Sequence, residues 1–316
     1  MSTAGDVLAN YPAALHGPIT PLGNHGGFSG AQIFRVDAPG GSFCLRAWPG
    51  DVLGGRLRFT HGLMRRATAA GLDFVPRILA ATSGADSIFA DGRPWELTTW
   101  MPGTAGAPDV AHVEAAFTAL AQIHRAWAEP LAERGVCPAV ARRWEAFRDW
   151  QPLTTSGWQP PADPLYPVAE VARRAWKAIR EQLPELPRLL LPWTGRLLPL
   201  QPCLCDIWGA HVLFTEGRVT GIVDFGSCKI DHVAVDLARL AGSMANTPER
   251  RSAALDAYSV VRPLTSDERV LAQVLERTGT IVGAANWLRW LYREGRPYPD
   301  RHAVAARLKT LLDQVG

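Results

Sequence analysis

The sequence predicts an α+β fold in two parts, a small antiparallel sheet followed by a larger helical region, and three observations lead there. The first hundred residues carry period-two apolar runs separated by glycine-rich turns, the pattern of strands that bury one face. Beyond Pro102-Gly103 the spacing changes to helical periods. One short hairpin interrupts that second half: Val212-Leu213-Phe214 and Val219-Thr220-Gly221-Ile222-Val223 flank Thr215-Glu216-Gly217-Arg218, whose Gly suits a tight turn. The two parts are therefore expected over 1–102 and 103–316.

In order along the chain, 28–36 and 42–47 read as strands joined by the turn Ala38-Pro39-Gly40-Gly41. A helix follows over about 55–70, with Leu57, Leu63, Met64 and Ala67 on one face and Gly71 at its end. Pro76 starts a strand over 77–81, which leads through Ser83-Gly84 to Ser87-Ile88-Phe89 and a turn at Asp91-Gly92. Helices are then expected over 111–127, 139–150, 168–182, 235–245, 252–258, 266–294 and 301–312. The proline-rich stretches 152–167 and 183–202 read as connectors, because proline removes a helix hydrogen bond and restricts the residue before it.

Composition excludes several classes. With 316 residues and 47% hydrophobic content the chain buries a large core. A net charge of +3 without a long Lys/Arg run argues against a nucleic-acid binder that relies on a dense basic field. The first six residues lack a basic segment leading into an apolar stretch, and no apolar run reaches about 18 residues, so no membrane association and a cytoplasmic location are expected. Five cysteines, an odd count, form no disulfide framework; Cys203 and Cys205 lack a second Cys/His pair at zinc spacing and are expected reduced and packed.

The chemistry concentrates at the hairpin. Asp206 precedes its first strand and Asp224 follows its second, so the two carboxylates flank the open end of one antiparallel pair. One can face a hydroxyl nucleophile while the other holds a divalent metal on a phosphate, the division of labour of phosphoryl transfer. Upstream, Gly26-Gly27-x-x-Gly30 with Ser29, and Arg46 on the strand that follows, would bring backbone N–H groups and a fixed cation to a triphosphate. Each residue also has a plain structural reading. The glycines could make a hairpin turn, Arg46 could be a surface strand residue, and Asp224 a turn residue. Asp206 could cap a turn, His211 could be a hydrogen-bonded core histidine, and Asp236 suits the first turn of a helix through its dipole.

Taken together, the loop from Asp206, the hairpin, Asp224-Phe225-Gly226 and Asp236-Leu237-Ala238 resemble the aminoglycoside phosphotransferase and choline kinase family, small-molecule relatives of the protein kinases. The resemblance extends upstream to the segment 24–36, similar to a glycine-rich nucleotide loop, and to Phe43-Cys44-Leu45-Arg46. It also covers the hinge-like Trp95 to Gly103 and the helix ending at His124. It implies a protein-kinase-like two-lobe fold, with a nucleotide-binding N-lobe over 1–102 and a helical C-lobe over 103–316 carrying the catalytic hairpin. It further implies ATP (or GTP) with Mg²⁺ or Mn²⁺ and a small-molecule hydroxyl acceptor. Gly26, Gly27, Ser29, Gly30 and Arg46 would hold the nucleotide, Asp224 and His211 the metal, and Asp206 would be the catalytic base.

Three departures stand out. The family's His-Gly-Asp is Leu204-Cys205-Asp206 here, and His211 occupies the position of a metal-binding Asn. Trp208, two residues after Asp206, is similar to the fructosamine kinase branch. Between Val52 and Leu72 there is one acidic-free helix, with His61 or Thr60 nearest the place where the family has a Glu to pair with the phosphate-binding cation. These departures support an alternative, a pseudokinase that binds nucleotide or acts as a scaffold without phosphotransfer. Trp287 and Trp290, three apart on one helix, could wall an acceptor pocket.

Overall fold

The computed structural model describes residues 3–23, 30–52, 54–129, 133–162, 167–298 and 300–313. In chain order the first elements are helix α1 (Ala4–Leu8) and strands β1 (Ile19–Gly23), β2 (Gln32–Ala38) and β3 (Gly41–Ala47). Helix α2 (Gly54–Ala69) follows, then β4 (Ile78–Leu79), β5 (Ile88–Ala90), β6 (Arg93–Thr99), β7 (Thr104–Ala105) and α3 (Val110–Trp127). Next come β8 (Arg134–Val136), α4 (Pro138–Thr155), α5 (Val168–Gln182), α6 (Leu186–Leu190), β9 (Leu197–Pro199) and β10 (Gln201–Cys203). The hairpin β11 (Val212–Thr215) and β12 (Arg218–Ile222) precedes β13 (Lys229–Asp231), α7 (Ala234–Met244), α8 (Pro248–Val261), α9 (Ser266–Leu288) and α10 (Arg301–Asp313).

The chain condenses into two compact units, 1–127 with 206–228, and 128–205 with 229–316. This grouping places α3 and the hairpin with the sheet, whereas the division at 102/103 assigns them to a helical lobe. Within the first unit, β1-β2-β3-β6-β4 form one antiparallel sheet with β5 alongside β6. Alternate residues of β3, Phe43, Leu45 and Ala47, point into a core with Val36, Trp95, Leu97 and Tyr11. Each large side chain so buried stabilises the unit by about 1.5–3 kcal/mol. Helix α1 seals one margin of that core with Val7 and Leu8 and is opened by a capping box in which Thr3 and Asp6 satisfy each other's backbone N–H groups. That helix went unread, although Thr3-x-x-Asp6 is its signal.

The hairpin forms as read, with Val212 opposite Ile222 at its open end, and β7 joins β11 to make three strands. Its turn needs left-handed backbone at both central positions, supplied by Glu216 at φ 51° and Gly217 at φ 76°.

The second unit is mostly helical. Helix α9 starts at a capping box of Thr265 and Glu268 and packs on α7, α5, α4 and α10. A buried Arg143 ties two helices by donating to the carbonyls of Ala139 and Leu275, and burial pulls its pKa down to about 10. Asp231, with no exposed surface, accepts from the N–H groups of Ala139 and His232 and from Arg142. The expected helices appear at their places, and the last turn after α9 is a π turn, Arg289–Arg293. The two proline-rich connectors are corrected. Helix α4 runs through Pro152, and 183–202 contains α6 and two short strands that pair with β8 and β13. Prolines at the first positions of successive short helical turns start helices rather than break them, because their missing N–H would be unpaired there anyway. No helix among the described residues is long and apolar enough to cross a membrane.

Candidate active site

The loop from Asp206 enters the hairpin through a 3₁₀ turn, Gly209–His211. Two backbone bonds fix the open end: Val223 N–H donates to the His211 carbonyl at 3.0 Å, and Ile222 N–H to the Phe74 carbonyl at 2.7 Å. Asp206 is half-buried, and its Oδ1 accepts the indole Nε1–H of Trp208 at 2.8 Å. His211 Nδ1 lies 2.9 Å from the Asp206 carbonyl oxygen. A carbonyl only accepts, so Nδ1 carries the proton, and a neutral His211 presents its lone pair at Nε2. That arrangement is the one metal-binding histidines adopt, with the second ring nitrogen anchored to a backbone carbonyl.

Asp224 sits in a left-handed conformation, φ 63° and ψ 65°. Asp and Asn tolerate that region better than other side chains, at a cost of about 1–2 kcal/mol. Its Oδ1 pairs with Arg46 Nη2 at 2.9 Å. Burial alone would raise the Asp224 carboxyl, but the Arg46 guanidinium holds it below the ordinary carboxylate value. The Arg46 guanidinium carbon lies over the Trp48 ring, 4.0 Å from its centroid, and burial's pull on its pKa is outweighed by Asp224 and Glu96, which raise it. Behind Asp224, Phe225 is an anchor only 3% exposed. Gly226 has no room for a side chain: a Cβ there would meet the Trp48 ring at 2.9 Å and Asp224 Oδ1 at 3.2 Å. The Gly226 carbonyl accepts Arg56 Nε at 3.1 Å from helix α2.

Arg46, Asp206, His211 and Asp224 thus belong to the same compact unit, and Gly30, at φ 78°, begins the segment into β2. Gly26, Gly27 and Ser29 lie outside the described residues. The sequence reading missed Trp48, Glu96 and Arg56. Trp48 stands two residues after Arg46, one past the end of its strand, where continued alternation would bring it to the same side, a spacing that would have found it. Glu96, in the apolar run Trp95-Glu96-Leu97, is 5% exposed and faces Arg46 across the β3–β6 ladder, while His61 Nε2 lies 2.6 Å from its Oε2. A charged residue inside a buried strand signals a buried partner. As read, no carboxylate comes from α2.

Other residues resolve toward structure. Asp236 is in the first turn of α7, but its two oxygens accept the N–H groups of Leu204 and Cys205, both at 2.7 Å, so it pins a loop as well as a helix start. All five cysteines are free; burial pushes the Cys44 thiol up to about 11 and Cys137 up to about 12, and Cys203 and Cys205 higher still, which removes thiolate chemistry near neutral pH. Trp287 and Trp290 stack edge to face at 5.1 Å. Beside them a cavity of about 340 Å³ is lined by Leu291, Tyr292, Arg296, Tyr298 and Arg301, among others, and not by the two tryptophans.

Known proteins resemble this chain in sequence and in fold. The model of the family described as "Phosphotransferase enzyme family" matches residues 20–274. A homoserine kinase of Gluconacetobacter diazotrophicus is 30% identical over 250 residues, covering 77% of this chain and 72% of that one. The homoserine kinase of Xanthobacter autotrophicus is 28% identical over 256 residues, covering 77% and 72%. Among solved structures, an aminoglycoside phosphotransferase from Alicyclobacillus acidocaldarius superposes with a TM-score of 0.66 at 15% identity, covering 100% of this chain and 93% of that one. A spectinomycin phosphotransferase in complex with ADP and spectinomycin gives 0.67 at 13% identity, covering 90% and 88%. The fold is that of these protein-kinase-like enzymes.

Proposed function

Because the chain belongs to the phosphotransferase enzyme family, a small-molecule phosphotransferase acting on a hydroxyl group, we propose that it transfers the γ-phosphoryl group of ATP or GTP to a small hydroxylated metabolite. The observation that carries this reading is the Arg46–Asp224 pair: a cation fit for phosphates and a carboxylate fit for a metal are held 2.9 Å apart. With 1–102 as nucleotide lobe and 103–316 as acceptor lobe, Gly26, Gly27, Ser29 and Gly30 would cover the phosphates and Arg46 would neutralise them. Asp224 and His211 would hold a divalent ion, Mg²⁺ or Mn²⁺. The donor set fits one, since it pairs a carboxylate with an imidazole whose Nδ1 proton is already committed to the Asp206 carbonyl. The bound ion would offset phosphate charge during transfer. Asp206, oriented by the Trp208 indole, would accept the proton of the acceptor hydroxyl.

The pseudokinase alternative drew on the missing helix carboxylate, on Leu204 and on His211. Glu96 weakens its first support, because Arg46 does have a buried carboxylate opposite it in the sheet. Homoserine kinases among the relatives make homoserine and similar hydroxy amino acids the first acceptors to try, followed by amino alcohols, aminoglycosides and sugars. The test is a phosphotransfer screen with ATP and GTP, each with Mg²⁺ and Mn²⁺, over such a library, beside thermal melts with nucleotide and metal. A hundredfold excess over the dissociation constant stabilises the folded state by about 2.7 kcal/mol, several degrees of melting temperature. The absence of both transfer and a nucleotide-dependent shift would sink the reading.

A further inference from the structure

Helix α2 contacts two parts of the candidate site at once. Its Arg56 donates to the Gly226 carbonyl behind Asp224, and its His61 meets Glu96 Oε2 at 2.6 Å. His61 is 1% exposed and also stands 4.0 Å from the Asp86 carboxylate, which pairs with Arg65 of the same helix. Glu96 is the cross-strand partner of Arg46. In this state Arg46 pairs with Asp224, yet the proposed reaction turns Asp224 toward a metal and Arg46 toward phosphates. An arginine side chain only 15% exposed needs a counter-charge that stays when that pair opens. Glu96 sits across the ladder in either state, because its place is set by β6 and by His61.

We propose that Glu96 is a positioning residue for Arg46, supplying from strand β6 the carboxylate that α2 lacks, and that His61 clamps Glu96 from that helix. The inference rests on the phosphotransfer reading above. It makes α2 a bracket between the strand carrying Arg46's partner and the loop carrying Asp224, with both cation and carboxylate drawn from neighbouring strands.

The test uses the full chain and measures dissociation constants of ATP and of adenosine by calorimetry. Glu96→Gln keeps the shape and a hydrogen-bonding group for His61 and removes the charge. Because Arg46 acts on phosphates, ATP should weaken about tenfold, the worth of a charge-assisted contact, and adenosine should bind as to the wild type. The double variant His61→Glu with Glu96→Gln returns a carboxylate from the helix and should recover most of the ATP affinity, which a merely structural role would not do. Should Glu96→Gln fail to fold, Glu96→Asp keeps the charge at shorter reach and should show a smaller, few-fold loss for ATP alone. Equal losses of ATP and adenosine, or unchanged ATP binding, overturn the positioning role while leaving the phosphotransfer reading intact. A wild type that binds no nucleotide overturns both.

Discussion

The loop that carries Asp206 and the loop that carries Asp224 leave the same end of one hairpin, yet they hold their carboxylates by opposite means. Asp224 is gripped by charge: a left-handed backbone aims it at Arg46, and the cation keeps its pKa low. At Asp206, Oδ1 accepts an indole N–H and the backbone carbonyl meets the His211 ring. A carboxylate beside a cation is committed to its charge and suits a metal or phosphate site. One whose oxygen is oriented by an indole N–H keeps a fixed direction, which suits a group that takes a proton from a positioned hydroxyl. The difference teaches that sequence distance from the hairpin does not assign the roles; the partner does.

The largest effect should come from breaking the charged side. Asp224→Asn preserves size and tolerates the left-handed backbone, so it removes charge without adding strain. Turnover should fall by at least about 10³-fold, and the metal-dependent part of the nucleotide-induced melting shift should vanish. Asp206→Asn should lower turnover alone, by roughly 10²–10⁴-fold, with nucleotide affinity nearly intact. If Asp206→Asn also loses nucleotide, the contrast between the two loops collapses.

Trp208→Phe sharpens the neutral side. It keeps the ring and deletes the N–H that orients Asp206. A hydrogen bond to a charged group is worth about 1.5–3 kcal/mol, so kcat should drop by about tenfold or more while KM for the nucleotide stays put. An unchanged kcat would mean that the indole only packs.

How much of this was legible in the sequence depends on whether a residue's partner is local. The hairpin, Asp206, Asp224 and Gly226 could be read because strand alternation and turn chemistry are written within a few residues. The helices from α3 onward, α6 excepted, could be read for the same reason. Glu96 was not, since its partners His61 and Arg46 lie 35 and 50 positions away and meet it only once β6 pairs with β3. Arg56, 170 positions from Gly226, is the same case. The proline stretch 183–202 misled because proline reads as a breaker, whereas at the first turn of short helices it is a starter.

His211 tests whether the two loops share a metal. Mg²⁺ prefers hard oxygen ligands and imidazole suits softer first-row ions, so with His211 as ligand the wild type should favour Mn²⁺. His211→Asn should move the ratio of Mn²⁺- to Mg²⁺-supported activity several-fold toward Mg²⁺, and an unaltered ratio assigns His211 to holding the Asp206 loop alone.

The smallest effect is an acid one and bears on the charged loop only. The Asp224 carboxyl lies below its ordinary value of 3.8, so folding favours its ionised form. Its contribution to stability is therefore fully present above that value, where the unfolded carboxyl is also ionised. It disappears as pH falls through the lower folded value, where both states are protonated. Solvent screens a side chain 41% exposed, which keeps the contribution modest. Urea denaturation of the wild type and of Asp224→Asn should then differ by a constant amount between pH 5 and 7, on the order of one unit or more above the titration. The gap should close below about pH 4. A gap that persists unchanged to pH 3 would mean that the Arg46–Asp224 pair does not stabilise the fold through charge, and the distinction drawn between the two loops would have to rest on catalysis alone.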